Sequence, residues 1–232
     1  MKKVLTFFKP FEWILLLLSW ALIISVFFIF KNTDYVQLVG CLIGVFSIML
    51  VSKGTPLGQV TTIVFSVFYG IVSYYVSYYG EMITYLGMTT PIAIFALISW
   101  LRNPSKENKN EVKVNHLTLI EYILMLLIAL VVTIAFYFIL RALNTNNLIV
   151  STISVYTSFI AAYMTLRRSK FYALGYLAND VVLIVLWSMA TVTDFKYLSM
   201  VITICIFFIN DTYGFINWSR LERKQYRHEV SN

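Results

Sequence analysis

Charged residues are scarce in this chain. Only 12% of the 232 residues are Asp, Glu, Lys or Arg, whereas 59% are hydrophobic. The mean hydropathy of +0.78 lies far above the range of soluble proteins. The composition therefore argues against a soluble globular protein and predicts an integral membrane protein with several spans.

Cysteine and histidine are also rare. Cys41 and Cys205 lie in separate apolar runs without a CxxC pair, so neither a disulfide framework nor a metal site is expected. His116 and His228 both lie outside the apolar runs, which removes the histidine that an intramembrane hydrolase or metalloenzyme would need at membrane depth. No glycine-rich phosphate loop is present. We therefore expect no enzyme, no ATP-driven pump and no cofactor.

Long apolar segments make up most of the sequence. Eight of them recur between short polar breaks, and each is about long enough to cross a bilayer. They cover approximately residues 11-30, 36-52, 57-79, 82-101, 118-140, 148-166, 171-190 and 197-218. The first segment follows three lysines and no small-residue cleavage site comes after it, which indicates a retained span and not a removed signal peptide.

The basic residues are distributed unevenly between the two sides that eight spans would define. Of the 18 Lys and Arg residues, all but Lys31, Arg141 and Lys196 fall on the side of the two termini. Cytoplasmic loops of membrane proteins carry such an excess. We therefore predict a multi-pass protein of the inner (plasma) membrane with both termini in the cytoplasm. Topology also accounts for the net charge of +7, so membrane lipid and not nucleic acid is the expected partner.

Two parts of the chain resemble each other. The tripeptide at 57-59 is similar to that at 174-176, an offset of 117 residues, and Trp100 matches Trp218 at an offset of 118. This near-constant offset predicts two copies of a three-span unit. A single span lies between them, so both copies have the same orientation. SWEET-type transporters have such parallel repeats, with the substrate near the midplane between them.

The predicted fold is an all-α integral membrane protein with eight transmembrane helices. An N-terminal helix precedes two parallel three-helix repeats joined by one linker helix (1+3+1+3). This organisation divides the chain into five parts. They are a cytoplasmic N-terminus with the extra span at 1-35, a first bundle at 36-101, a cytoplasmic loop with the linker span at 102-147, a second bundle at 148-218 and a cytoplasmic tail at 219-232.

Polar side chains interrupt three of the apolar segments. Asn179-Asp180 and Asn210-Asp211 lie within the last two, where a polar side chain is costly and marks either a site or a buried bonding network. At 1.5 Å per residue, both asparagines lie near mid-membrane at one depth. A polar stripe at steps of three and four in the third span is long enough to line a path. The candidate substrate-binding residues are Gln59, Thr62, Tyr69, Tyr85, Tyr176, Asn179, Asp180, Trp187, Asn210, Asp211 and Asn217.

Several short motifs resemble those of the PnuC family of vitamin transporters. They are Tyr79-Gly80-Glu81, Tyr85-Leu86-Gly87, Trp100-Leu101-Arg102-Asn103, Asn179-Asp180 with Trp187, and Asn210-Asp211-x-Tyr213-Gly214-Phe215-x-Asn217-Trp218. The resemblance extends from about Val36 to Trp218, and the last motif is its most specific part. It implies uptake of nicotinamide riboside by facilitated diffusion through a SWEET-like fold, with the substrate retained inside by phosphorylation. By analogy it also implies a homo-oligomer, a trimer. Relatives in this family carry thiamine, riboflavin or deoxynucleosides.

The candidate side chains suit such a ligand chemically. Nicotinamide riboside is a flat pyridinium cation with a carboxamide and a ribose. Four aromatic side chains could stack on its ring, namely Trp187, Tyr69, Tyr85 and Tyr176. The candidate asparagines supply donors and acceptors for the carboxamide and hydroxyls, and either candidate aspartate could balance the charge. Thiamine is also an aromatic cation, so these residue types do not separate the two, whereas a neutral flavin has less use for carboxylates.

Structural roles compete with these assignments. The Asn-Asp pairs could simply bond one helix to another. Trp100 and Trp218 could anchor or pack span ends, and Pro91 predicts a kink in the fourth span. Four tyrosines at the outer end of the third span fit an interfacial aromatic belt, namely Tyr74, Tyr75, Tyr78 and Tyr79. A membrane partner or receptor without transport activity, and ion coupling through an aspartate, both remain open.

Overall fold

The computed structural model describes residues 7–75 and 79–231, without the side chains of residues 72, 73, 79, 81 and 231. Its regular structure is helical in these ranges, and an isolated bridge joins Pro104 to Val112. The helices are α1 Pro10–Ile29, α2 Tyr35–Ser52, α3 Pro56–Tyr75, α4 Tyr79–Ile83, a π-helix Thr84–Thr89, α5 Thr90–Arg102, α6 Leu119–Ala142, α7 Leu148–Leu166, α8 Tyr172–Thr193, a 3-10 turn Phe195–Tyr197 and α9 Leu198–Ser231.

The apolar helices occur where the sequence predicts spans. Seven of them are long and apolar enough to cross a membrane, among the described residues. Helix α3 occupies the remaining position, with a shorter apolar window over Pro56–Ile71. The all-helical membrane fold is confirmed. The predicted boundaries of the five parts of the chain stay a prediction.

Six helices form a closed ring. In ring order, each of α2, α3, α5, α7, α8 and α9 packs against the next, and α9 packs against α2. The middle helices of the two predicted units, α3 and α8, therefore lie on opposite sides of the ring. Helix α1 lies outside it, against α2 and α9, and α6 packs against α7. Residues on α3 and α8 that point inward thus face the same central region.

Two tryptophans join the halves of the ring. The indole N–H of Trp218 donates to the Val51 carbonyl, and that of Trp100 donates to the Thr165 carbonyl, each at 2.9 Å. Both side chains are fully buried, and their ring centroids lie 5.5 Å apart. The last helix of each half is therefore fixed to the first helix of the other. Of the roles open to these residues, the structure shows packing of helix ends.

The predicted kink at Pro91 takes the form of a π-helix just before it. The backbone N–H of Thr90 donates to the Tyr85 carbonyl five residues earlier, and the Thr90 hydroxyl donates to the same carbonyl at 2.9 Å. Proline has no N–H to donate and its ring crowds the preceding turn, so a wider turn there relieves the clash. The wider turn also sets the direction of Tyr85.

Candidate functional site

Asn179 connects α8 to α7. Its side-chain oxygen accepts hydrogen bonds from the hydroxyls of Thr157, at 2.8 Å, and Ser158, at 3.0 Å. The residue is buried. A buried amide so placed is held in one orientation, because its oxygen has two donors and its NH₂ group points the other way. Sequence reasoning identified neither Thr157 nor Ser158 as its partner.

Two buried carboxyl groups, those of Asp180 and Asp211, lie where α8 packs against α9. Each residue is 4% exposed, and the two groups interact electrostatically. Within the described ranges, neither forms an ion pair with Lys or Arg, and one oxygen of Asp180 has no hydrogen-bond partner. Tyr172 and Tyr176 lie close enough to Asp211 to feel its charge. The cluster is therefore rich in acceptors and has no basic partner.

The other two candidate asparagines on α9 point away from this cluster. The Asn210 amide donates to the Ser19 hydroxyl of α1 at 3.0 Å and to the Ile206 carbonyl at 2.8 Å. The Asn217 amide donates to the Ser52 carbonyl at the end of α2 at 2.8 Å. The structure thus does not bring Asn210 and Asn217 together with Asn179. Their contact with a ligand stays a prediction, and the partners described here connect helix to helix.

The first half supplies a second group of candidates on α3 and the π-helix. Gln59 is 2% exposed, and its amide nitrogen has no hydrogen-bond partner among the described residues. The Thr62 hydroxyl donates to the Gly58 carbonyl at 2.9 Å. The rings of Tyr69 and Tyr85 meet at a centroid distance of 4.8 Å and an interplanar angle of 53°. The two tyrosines are therefore in mutual contact, and their stacking on a ligand stays a prediction.

The candidates of the two halves correspond in position. Gln59 and Tyr176 are separated by 117 residues, as are Thr62 and Asn179, which is the offset of the repeated tripeptide. Gln59 and Thr62 lie on α3, and the other two lie on α8. Since these helices lie opposite each other in the ring, the two halves contribute equivalent positions to the central region.

Trp187 stands apart from the acidic cluster. Seven residues separate it from Asp180 along α8, which places it about 10 Å closer to the C-terminal end of that helix. Its ring lies 5.6 Å from that of Tyr197, centroid to centroid, and the side chain packs against the apolar cluster of α1, α2 and α9. The structure thus places Trp187 in the C-terminal part of α8, and stacking on a ligand stays a prediction there.

Comparisons with known proteins agree with this architecture. A family model described as nicotinamide mononucleotide transporter matches residues 34–220, which include every candidate residue. The chain is similar to a crystal structure of the vitamin B3 transporter PnuC, with a TM-score of 0.78, 22% sequence identity and 94% of each chain covered. At that identity the likeness shows the fold. A search of curated proteins gave no match. The resemblance to the PnuC family is confirmed: the chain is a multi-pass membrane transporter, not an enzyme, and belongs to the nicotinamide mononucleotide transporter family.

Proposed function

We propose that this protein carries nicotinamide riboside across the membrane by facilitated diffusion, with alternating access and trapping of the substrate by phosphorylation inside the cell. The observation that carries the proposal is the acidic cluster of Asp180 and Asp211. Two buried carboxyl groups that interact and have no basic partner among the described residues form a site that prefers a cation. The pyridinium ring of nicotinamide riboside supplies that positive charge.

The same cluster favours the riboside over the mononucleotide. A phosphate group requires Lys, Arg or a helix N-terminus, and it is repelled by nearby carboxylates. No Lys or Arg occurs in residues 57–101, 171–195 or 197–219, which contain all the candidate residues. We therefore expect the nicotinamide mononucleotide of the family description to bind far more weakly than its dephosphorylated form.

Unpaired polar atoms on both sides of the ring support this assignment. The Gln59 amide nitrogen is a buried donor without a partner, and one Asp180 oxygen is a buried acceptor without a partner, within the described residues. Leaving such groups unpaired costs about 1–3 kcal/mol each. A ligand with a carboxamide and ribose hydroxyls can satisfy both, and the Tyr69–Tyr85 pair offers an aromatic face to the ring.

The sequence also supports a proposal for the setting of the transporter. The excess of Lys and Arg on the side of the termini supports an inner-membrane protein with both termini in the cytoplasm. By analogy with the family we further propose a homo-oligomer, namely a trimer.

A binding titration with purified protein tests the proposal. We expect saturable binding of nicotinamide riboside, weakened at least about tenfold, or about 1.4 kcal/mol, in Asp180→Asn and in Asp211→Asn. Asp194→Asn is the matched control, since that aspartate is half-exposed and lies at the C-terminal cap of α8, away from the cluster. In vesicles, dissipating the proton gradient should leave equilibrium accumulation unchanged.

Other outcomes would revise the proposal in defined ways. Selective binding of thiamine, the other aromatic cation, would keep the role of the carboxylates and change the substrate. Selective binding of riboflavin or a deoxynucleoside, with no effect of either substitution, would refute the electrostatic argument. Absence of saturable binding for all of them would favour a membrane protein that does not transport.

A further inference from the structure

Glu12 is a charged residue buried at the start of α1. It is 1% exposed, and its carboxylate accepts hydrogen bonds from the Lys53 ammonium at 2.8 Å, the Tyr213 hydroxyl at 2.6 Å and the Lys9 backbone N–H at 2.6 Å. Lys53 is the residue that caps the C-terminus of α2, and Tyr213 belongs to α9. One side chain therefore connects the start of α1 and the end of α2 to the middle of α9.

Glu121 holds the equivalent place at the start of α6. Like Glu12, it is the third residue of its helix and accepts the backbone N–H of the capping residue, here Thr118 at 2.8 Å. It also forms an ion pair with Arg167, which caps the C-terminus of α7. Lys53 and Arg167 thus follow the first helices of the two predicted repeats, and each is paired with a glutamate from the helix before.

The tryptophan contacts occur at the same two helix ends. Two residues before Lys53, the Val51 carbonyl accepts the indole N–H of Trp218, and two residues before Arg167, the Thr165 carbonyl accepts that of Trp100. The end of α2 and the end of α7 are therefore held by the same pair of contacts. One comes from the preceding helix and the other comes from the opposite half.

The outer helices repeat this equivalence. Helix α1 packs against the first helix of one half and the last helix of the other, α2 and α9. Helix α6 packs against α7, and its residues Ala129 and Phe136 share an apolar cluster with Met88 of the π-helix. Each predicted three-helix repeat is thus preceded by a helix that packs against its first helix. The first of these preceding helices, α1, lies before the matched residues 34–220.

We propose that the ion pairs Glu12–Lys53 and Glu121–Arg167, here named the two latches, close the cytoplasmic face of the transporter, and that Glu12 is a positioning residue for α9. The inference rests on the proposed function, because release of substrate to the cytoplasm requires that face to open. Opening separates the ends of α2 and α7 from α9 and α5. The first latch reaches across the boundary between α2 and α9 through Tyr213, whereas the second latch holds the end of α7 to α6. Through Tyr213, Glu12 also fixes the helix that carries Asp211.

The two latches differ in burial. The side chains of Glu12 and Lys53 are 1% and 17% exposed, whereas those of Glu121 and Arg167 are 26% and 39% exposed. Removing one partner of a buried pair leaves an uncompensated charge, while a half-exposed pair contributes little. The first latch should therefore control the equilibrium between the closed and open cytoplasmic face, and the second should have a smaller effect.

Cysteine labelling of the full-length protein tests this proposal without any substrate. In a background with Cys41 and Cys205 replaced by alanine, Ser52→Cys places a probe beside Lys53, where the side chain is fully buried. Ser151→Cys places the control probe near the other end of α7. We expect Glu12→Gln to raise the rate of maleimide labelling at position 52 about fivefold or more and to leave labelling at position 151 unchanged or slower. Glu121→Gln should raise it less than about threefold.

A substitution that merely loosens the fold gives a different result. Equal acceleration at both probes, or unchanged labelling at position 52, would overturn the proposal. Tyr213→Phe is the second variant, since it removes one hydroxyl from Glu12 and keeps the ring. It should produce part of the acceleration that Glu12→Gln produces at position 52, and none at position 151. Labelling identical to that of the parent would show that Glu12 does not act through α9. Failure of nicotinamide riboside to bind would refute the proposed function alone, because the labelling pattern does not depend on it.

Discussion

Two glycines allow backbones to approach so closely that a single methyl group should disrupt the ring. A Cβ atom added at Gly58 would lie 2.6 Å from the Val51 backbone nitrogen, and one added at Gly175 would lie 2.8 Å from the Ala161 Cα. Ordinary carbon contacts are about 3.5–4.0 Å, so α2 and α3, or α7 and α8, would have to separate by about 1 Å. The obstructing atoms are backbone atoms, which cannot rotate away as a flexible side chain would.

The expected loss follows from these distances. Overpacking of this kind costs about 1–3 kcal/mol, against which alanine regains up to about 1 kcal/mol of helix propensity. At roughly 2–4 °C per kcal/mol for a chain of this size, Gly58→Ala and Gly175→Ala should each lower the unfolding midpoint by several degrees. Gly87→Ala is the matched control, because its Cβ would meet only an Ile83 methyl at 3.7 Å. That variant should be as stable as the parent or slightly more stable.

The assay is thermal unfolding of detergent-solubilised protein, followed by tryptophan fluorescence at one fixed scan rate because membrane proteins can unfold irreversibly. If both buried variants melt at the midpoint of Gly87→Ala, the helices tolerate the methyl group. The close approach would then not be a constraint on either half, and the reasoning from distances would be refuted.

Two further predictions concern a pair of buried hydrogen bonds and an exposed carboxylate. Trp218→Phe and Trp100→Phe should each cost about 0.5–1.5 kcal/mol in unfolding free energy, because each removes one of the two hydrogen bonds that a helix-end carbonyl accepts. Trp13→Phe should cost less, because the indole N–H of Trp13 has no partner in the described part of the chain. The same melting assay shows the difference, and equal losses in all three would contradict it. Hydrogen bonds from Lys196 hold the pKa of Asp194 below its ordinary value of 3.8, so the stability it contributes is present at neutral pH and lost as the pH falls through that lowered pKa. The Asp194→Asn variant should therefore have a lower unfolding midpoint than the parent at pH 7 and the same midpoint near pH 2. A difference in midpoint that persists in acid would rule this out.

The positions of the spans followed from the sequence because the bilayer sets the length of an apolar run. The predicted segment 148-166 has the bounds of α7, Leu148–Leu166, and 36-52 differs from α2 by one residue. The repeated offset likewise predicted equivalent positions, since Trp100 and Trp218 occupy matching places in the two halves. The length of an apolar run and the offset between two repeats are both distances along the chain, so a single sequence is sufficient to measure them.

The direction in which each polar side chain points did not follow from the sequence. Asn179 and Asn210 were expected at one depth, yet the described hydrogen bonds of one lead to α7 and those of the other to α1. Helix α9 has α1, α2 and α8 on different sides, so helical periodicity identifies a polar face without identifying its neighbour. Glu12 was overlooked for a related reason. An acidic residue at the start of a span normally reaches water, and its burial depends on Lys53 and Tyr213, which are distant in sequence.

The π-helix at Thr84–Thr89 divides the fourth span into two segments with different rotational phase. An α-helix turns about 100° per residue, so the one extra residue that a π-turn holds rotates everything before it by about that angle relative to everything after it. Side chains before Thr84 and after Thr89 that an uninterrupted helical wheel would assign to one face therefore point in different directions. The joint also has no backbone hydrogen bond from Pro91 to stiffen it. Mechanically, this span consists of two helical segments joined at the level of Tyr85 and not of one continuous rod.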